Sequence, residues 1–316
     1  MTTVRVQRFH EGQLTRGGAE LLEQPGLKWV DVETPDEASM AALAQRYGLH
    51  RLVVEDCLHQ DQRPKLEEYP GYQFIVLQGF SSAGKIEELE LHELHLVLGA
   101  DHLISVHEKP FQSLNQVWER VADDLPGTFG RGVDFLAYLL TDALVDRNFP
   151  LLDEFNEALE SLEDRIFTEH PTKALMQRAF ELKNSLVFMR RVLSPQRDVI
   201  GLLARHGVAL VQDRTTLYFR DVYDHLMRIN EQIESARDLV GNAVDAYLSV
   251  IANRTSDISK QLTLFASIFM PLSFVVGFFG QNFAGINGPV PFVVMLVLMG
   301  LIPASMIWWF KRRDWL

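Results

Sequence analysis

The chain has one cysteine, Cys57, so it can form no internal disulfide and has no cysteine pair for a structural zinc site. The bulk of it reads as cytosolic on that ground. Positive charge is also scarce: 30 Lys and Arg face 42 Asp and Glu, for a net charge of -12. That balance argues against a nucleic-acid binder, which must neutralise many phosphates. No apolar run opens the sequence. Met1 to His10 lacks the core of a signal peptide, so any membrane insertion falls to an internal segment. There is no internal repeat and no low-complexity tract. No glycine-rich phosphate loop, serine nucleophile elbow or His-Glu-x-x-His motif is found, and the chain is read as a non-enzyme.

Two stretches lack charge altogether. Leu262 to Gly280 reads LTLFASIFMPLSFVVGFFG, and Pro291 to Phe310 reads PFVVMLVLMGLIPASMIWWF. At the rise of an α-helix these reach roughly 28 and 30 Å, which matches a hydrocarbon core of about 30 Å. Arg254 and Lys260 precede the first and Lys311, Arg312 and Arg313 follow the second, while Gln281 to Val290 between them carries no charge. Positive flanks on one side orient both termini toward the cytosol, as expected for a bacterial inner membrane. Trp308, Trp309 and Trp315 suit the aromatic belt at the cytosolic interface.

From Arg214 to Met270 there is no proline and one glycine, Gly241, so one helix can run into the first apolar stretch. Phe219, Val222, Leu226, Ile229, Ile233, Ala236, Val240, Ala243, Tyr247 and Val250 follow one another at steps of three and four, a heptad seam. Such a seam packs either on helices of its own chain or on copies of itself around an axis; the expectation taken here is that it surrounds an axis. Asp134 to Phe167 and Thr172 to Arg205 have helical spacing, with a break at His170-Pro171 and a bend or break near Ser194-Pro195. Ahead of them, Trp29 to Val32, Phe74 to Leu77, Leu91 to Leu98 and Leu103 to Val106 read as strands, with helices around Asp36 to Tyr47 and Phe111 to Asp124. The domains follow: a cytosolic α/β domain (1–132), a cytosolic helical hairpin (133–212), a stalk helix (213–261), a first membrane helix (262–280), an external loop (281–290), a second membrane helix (291–310) and a basic tail (311–316).

These landmarks resemble the CorA family of divalent metal ion transporters. The likeness is carried by Arg63-Pro64-Lys65-Leu66-Glu67-Glu68-Tyr69, by His102 to Glu108, by Ile268-Phe269-Met270-Pro271 and the run on to Phe283, and by the tail Lys311 to Leu316. The resemblance implies a cytosolic α/β domain, a long stalk helix that becomes the first membrane helix, and a funnel-shaped homopentamer in a lipid bilayer. It also implies divalent cations as cargo, with no cofactor and no nucleic acid. The family's Gly-Met-Asn signature is here Gly280-Gln281-Asn282, and the loop after it has none of the acidic residues common in magnesium-selective members. That loop is similar to those of the ZntB branch. Zinc is favoured on this reading, with magnesium and cobalt as alternatives; a non-transporting membrane scaffold or metal-sensing receptor on the same fold is the competing function.

If the first membrane helix lines a pore, counting back from Asn282 selects one face: Gly277, Ser273, Met270, Ala266, Thr263 and Ser259, with Leu262 beside it. A divalent cation gives up its water reluctantly, so a ring of neutral oxygens at the mouth, from Asn282, can hold it hydrated. Gly280, Gln281 and Asn282 are the expected selectivity residues. Met270 and Leu262 are the expected apolar gate. Between Asp142 and Glu169 there are nine carboxylates against two arginines, and Asp153, Glu157, Glu160 and Asp164 are the candidates there for regulatory cation binding; a solvated helix face is the alternative. His92, His95, His102 and His107 raise the question of a zinc site, which strand alternation opposes by placing His92 and His95 on opposite faces.

Overall fold

The computed structural model describes all residues except 1, 60, 83, 111, 169–171, 282–287, 314 and 316. The chain divides into two units, one built from residues 1–168 and 172–244, the other from residues 245–316.

The first unit is built on a seven-stranded sheet in the order β2-β1-β3-β7-β6-β5-β4. Its strands are β1 (Thr3–His10), β2 (Gln13–Gly17), β3 (Leu27–Glu33), β4 (Lys65–Tyr69), β5 (Tyr72–Ser82), β6 (Leu89–Gly99) and β7 (His102–His107). Every neighbouring pair is antiparallel except β3 with β7. Alternation along the strands sorts side chains to two faces. Val30, Val32, Phe74, Val76, Val97, Ile104 and Val106 share one core with Met40 and Leu43 of α1 (Glu37–Tyr47) and Val53 and Cys57 of α2 (Arg51–Leu58). Trp29, one residue out of step, meets Trp118 of α3 (Gln112–Asp123) edge-on at 4.9 Å on the other face. The sheet is thus covered on both sides, which suits strands as apolar as Phe74 to Leu77. α1 begins with a capping box between Asp36 and Ser39 and ends on Gly48 at φ 67°, a left-handed position suited to glycine.

Helices α4 (Val133–Asp146), α5 (Asn148–Thr168) and α6 (Lys173–Leu203) follow. The single helix expected from Asp134 to Phe167 is two, separated at Arg147, where the Asn148 side-chain amide donates to Val145 O at 2.8 Å. Of the bend or break expected near Ser194-Pro195 the break does not occur, and α6 runs through it. A proline in a helix costs about 3 kcal/mol, and tertiary contacts around it hold the helix. Gln196, fully buried, accepts from the Gln78 backbone N–H of β5 at 2.6 Å, and Ser194 Oγ donates to Asn230 at 2.9 Å.

α7 (Asp213–Phe279) begins in the first unit and ends in the second. Phe219, Val222, Leu226, Ile229, Ile233, Ala236, Val240 and Ala243 are each no more than 2% exposed within a single chain. The seam therefore packs on the helices of its own chain, correcting the expectation that it faces an axis of several copies. Tyr138 of α4 meets the rings of Tyr218 and Phe219, and Arg190 of α6 pairs with Glu234. Asp224, Arg228, Glu231, Ser235 and Asp238 make the exposed face over the same stretch.

The second unit holds the end of α7 and α8 (Pro289–Arg312). Their most apolar windows have mean hydropathies of 2.1 and 2.4, and of the α8 window 0% is buried. A core helix of a soluble protein would be mostly buried, so these are helices that call for a bilayer. α7 continues through Pro271 and α8 through Pro303.

Candidate functional site

The apolar end of α7 has two contrasting faces. Ser259, Leu262, Thr263, Ala266, Met270, Ser273 and Gly277 are all exposed, whereas Ile268, Pro271, Leu272, Val275 and Phe279 are wholly or partly covered. Steps of three and four along both stripes place them on different sides of one helix. One side is at least partly covered within the unit, and the other is open, charge-free and small or flexible in its side chains, flanked by the exposed Phe265, Phe269, Phe274 and Phe278. Thr263 Oγ1 donates to Ser259 O at 2.8 Å, which leaves its oxygen as an acceptor. Met270 and Leu262, the expected gate, are 73% and 64% exposed.

At the end of the helix Gly280 N donates to Val276 O at 2.9 Å and Gln281 N to Phe278 O at 3.3 Å. A Cβ on Gly280 would come within 3.0 Å of Val276 O. Gly280 is absent from the positive-φ glycines, so close approach to the preceding turn, not a left-handed backbone, is what suits glycine here. Asn282, with the rest of 282–287, lies outside the described residues.

The carboxylates singled out on α5 sort differently from a shared site. Asp153, Glu157, Glu160 and Asp164 are all exposed, and among the described residues none belongs to a cluster with metal-ligand spacing. The cluster that has it is Asp142 of α4 with Asp221 and His225 of α7, whose ligand atoms lie within 4.8 Å of one another. His225 Nδ1 also sits 3.0 Å from Asp146 Oδ1, and Tyr138 O–H lies 3.4 Å from Asp142 Oδ2. Burial first and the charge of Asp146 second push the Asp142 carboxyl up to about 6. Three acidic groups and one imidazole converging at a half-buried point have the charge and the hard-plus-borderline donors for a divalent cation. Sequence reading included Asp142 in the acidic tract but missed Asp221 and His225. Their i, i+4 spacing on one helix was the available signal.

The four histidines split across the sheet. His95 is paired with Val106 and so shares the α1/α2 face with His102, whose ring meets that of Tyr47 of α1 at 4.2 Å with a 38° tilt. His107 lies on the opposite face with His92, whose Nε2 is 2.6 Å from Ser81 Oγ. Among the described residues they form no group with metal-ligand spacing, although His92, His95 and His107 all line one cavity.

His107 belongs instead to a buried polar network. Its Nε2 lies 3.2 Å from Asp31 Oδ1, Ser105 Oγ donates to the same oxygen at 2.5 Å, Trp29 Nε1 donates to Ser105 Oγ at 2.9 Å, and Arg5 Nε donates to Asp31 Oδ2 at 2.7 Å. Burial alone would depress the imidazole, but hydrogen bonding and charge from Asp31 outweigh it and raise the His107 pKa. Burial would likewise raise the Asp31 carboxyl; His107, Ser105 and Arg5 hold it below the usual range. Serine and histidine both lean on the same carboxylate oxygen, and all three residues are buried. This buried network ties β1, β3 and β7 together.

Comparison with known proteins supplies the context. Residues 24–312 match a family model described as CorA-like Mg2+ transporter protein. The chain is 37% identical over 273 residues to the cobalt/magnesium transport protein CorA of Thermotoga maritima, covering 85% of this chain and 78% of that one. It is 32% identical over 302 residues to the putative metal ion transporter YfjQ of Bacillus subtilis, covering 94% and 92%. The complete CorA magnesium transporter structure from Methanocaldococcus jannaschii superposes with a TM-score of 0.89 at 21% identity, covering 99% of both chains.

Proposed function

The chain belongs to the CorA family of divalent-cation transporters, integral membrane proteins and not enzymes, and from that premise we propose that its cation passes along the open face of α7. The observation that carries this is the contrast between opposite sides of the helix: one stripe is wholly or partly covered within the unit, and the side opposite it, Ser259 to Gly277, is exposed and uncharged and holds the small and hydroxyl side chains, flanked by the exposed Phe265, Phe269, Phe274 and Phe278. A pore wall of this kind passes a hydrated ion through hydroxyl and carbonyl rings and closes where Met270 and Leu262 exclude water.

Two membrane helices from one subunit cannot enclose a channel, so several copies, a pentamer in this reading, surround the axis. Residues 262–280 line it, 281–290 face outward, 291–310 form the second span, and both termini stay in the cytoplasm of a bacterial inner membrane, held by Lys311, Arg312 and Arg313. Residues 1–132, 133–212 and 213–261 form the cytosolic domain, hairpin and stalk. Gly280, Gln281 and Asn282 shape the mouth, with the Asn282 amide holding the ion through its waters. Asp142, Asp221 and His225 sense the cytosolic cation, a role for which they replace Asp153, Glu157, Glu160 and Asp164.

Magnesium and cobalt are the proposed cargo, following the Thermotoga maritima relative named for both. Zinc is the second reading, favoured by Gln281 in the mouth and the charge-free 281–290. Ion uptake into proteoliposomes, compared for magnesium, cobalt, zinc and nickel under equal gradients, tests these together. Asn282→Ala is expected to abolish all divalent flux and Gln281→Met to change the ranking of ions. Normal transport by Asn282→Ala removes the ring, and no uptake of any ion above background favours a scaffold or metal-sensing receptor.

A further inference from the structure

β7 pairs with β6 only over His95 to Leu98, so the start of β6 runs on past the end of its neighbour. A cavity of about 310 Å3 opens there, lined by His59 and Asp61 just after α2, by Glu93 and His95 of β6, and by Cys57. Glu93 and His95 are two apart on one strand and share a face. Their side chains are 10% and 6% exposed, and His95 Nε2 lies 3.3 Å from Glu93 Oε2. That separation is long for a charge-assisted hydrogen bond, which favours about 2.7–2.9 Å. It is, however, the edge of a tetrahedron whose centre lies about 2.0–2.1 Å from each donor, the bond length zinc makes with imidazole and carboxylate.

The surroundings are arranged as for a metal. Glu93 Oε1 is occupied by the Asp61 backbone N–H at 2.9 Å, which orients the carboxylate and leaves Oε2 toward His95. His59 Nδ1 lies 2.9 Å from Glu55 O. A carbonyl only accepts, so Nδ1 carries the proton and Nε2 keeps its lone pair, the tautomer a metal requires. Cys57 lies buried on the same wall.

We propose that Glu93, His95 and His59 form a cytosolic binding site for a borderline transition cation of the zinc and cobalt class, with water in the fourth position. Glu93 and His95 are the preformed pair, and the exposed His59 swings in as third ligand, since among the described residues these atoms do not already form a group of three within 4.8 Å. Two imidazoles and one carboxylate select against magnesium, which demands an octahedron of oxygens. The metal would fasten the segment after α2 to β6. None of its residues is among those proposed to line the pore, and binding at equilibrium tests it whether or not the protein conducts.

The experiment is cobalt titration of the full-length, metal-stripped protein in detergent, in an Asp142→Asn, Asp221→Asn background that removes the other candidate cluster, read by visible absorption. One cobalt per subunit is expected with the intense bands of four-coordinate geometry. His95→Ala and Glu93→Gln should lose those bands, His59→Ala should weaken binding more than about tenfold, and His206→Ala, which does not line the cavity, should leave it unchanged. Zinc should displace the cobalt and millimolar magnesium should not. Because His59 is exposed, its substitution leaves the fold intact. An unaltered spectrum and affinity in His59→Ala, or displacement by magnesium, overturns the proposal.

Discussion

The two halves of α7 follow the same spacing of apolar residues and meet opposite fates. From Phe219 to Ala243 the stripe is sealed by helices of the same chain and the other face is polar. Beyond Leu262 the apolar residues go around the helix and most stay exposed. The difference teaches that periodicity identifies a face to be covered, while the composition of the remaining face says what covers it. A polar remainder means water outside, and an apolar remainder means lipid or another copy of the chain.

The sharpest way to break that contrast is truncation on either side of it. Phe219→Ala leaves a cavity in a sealed core and is expected to destabilise the first unit by about 3–5 kcal/mol. Phe269→Ala, at an exposed position, should cost under about 1 kcal/mol. Thermal unfolding of the full protein in detergent compares the two, and equal losses would show that the exposed stripe is itself a packed core.

A second contrast lies inside the first unit, between buried groups that pair and those that crowd. Asp31 and His107 are paired. The raised His107 pKa contributes stability below the ordinary imidazole value of 6.5, lost as pH rises through the folded value. The lowered Asp31 pKa contributes above the ordinary carboxylate value of 3.8, lost as pH falls through its own folded value. The pair therefore acts most fully between these limits. His107→Gln removes one partner from a buried network, with an expected cost of about 3 kcal/mol near pH 6, and should flatten the decline of stability toward higher pH. A decline unchanged in the variant would assign it to other groups.

Asp142 is the crowded case. Its carboxyl is pushed up to about 6, so the folded state holds its proton more tightly than the unfolded chain, and the site loses stability as pH rises from 3.8 through 6. A divalent cation relieves this only where the proton has left. Cation-induced rises in unfolding temperature are expected above pH 6 and should fade below it. Asp142→Asn should raise cation-free stability at pH 7 by on the order of 1 kcal/mol, after allowing for solvent screening, and abolish the cation response. A response that persists in Asp142→Asn moves the sensor elsewhere.

The smallest effect concerns the open stripe of α7. Met270→Ser hydrates the proposed constriction without changing the packed face, and basal flux in proteoliposomes is expected to rise about threefold, worth under 1 kcal/mol of barrier. Unchanged flux with intact assembly would take Met270 out of the conduction path.

How much of this was legible in the sequence depends on how locally each feature is encoded. The membrane helices and strands β3, β5, β6 and β7 are apolar runs bounded by turns, each readable within about ten residues. The β1–β2 hairpin was not foreseen, because its strands carry Arg5, Arg8 and Arg16 at a half-buried edge and show little alternation; the Glu11-Gly12 turn, both at positive φ, was the remaining signal. Continuity of α6 through Pro195 depends on Gln78 and Asn230, distant in sequence, so local propensity pointed the wrong way. The Asp142 cluster was hidden for the same reason, as Asp146 and His225 are 79 residues apart.

The parallel pairing of β3 with β7 sets a timetable. Among the described residues no strand follows His107, so every partner the seven-stranded sheet uses has been synthesised before the first lipid-seeking residue near Leu262 appears, roughly 155 residues later. At about 5–20 residues per second the ribosome gives that interval some ten to thirty seconds. That is ample for a pairing of high contact order, so the fold of the first unit can be complete before the membrane helices leave the ribosome.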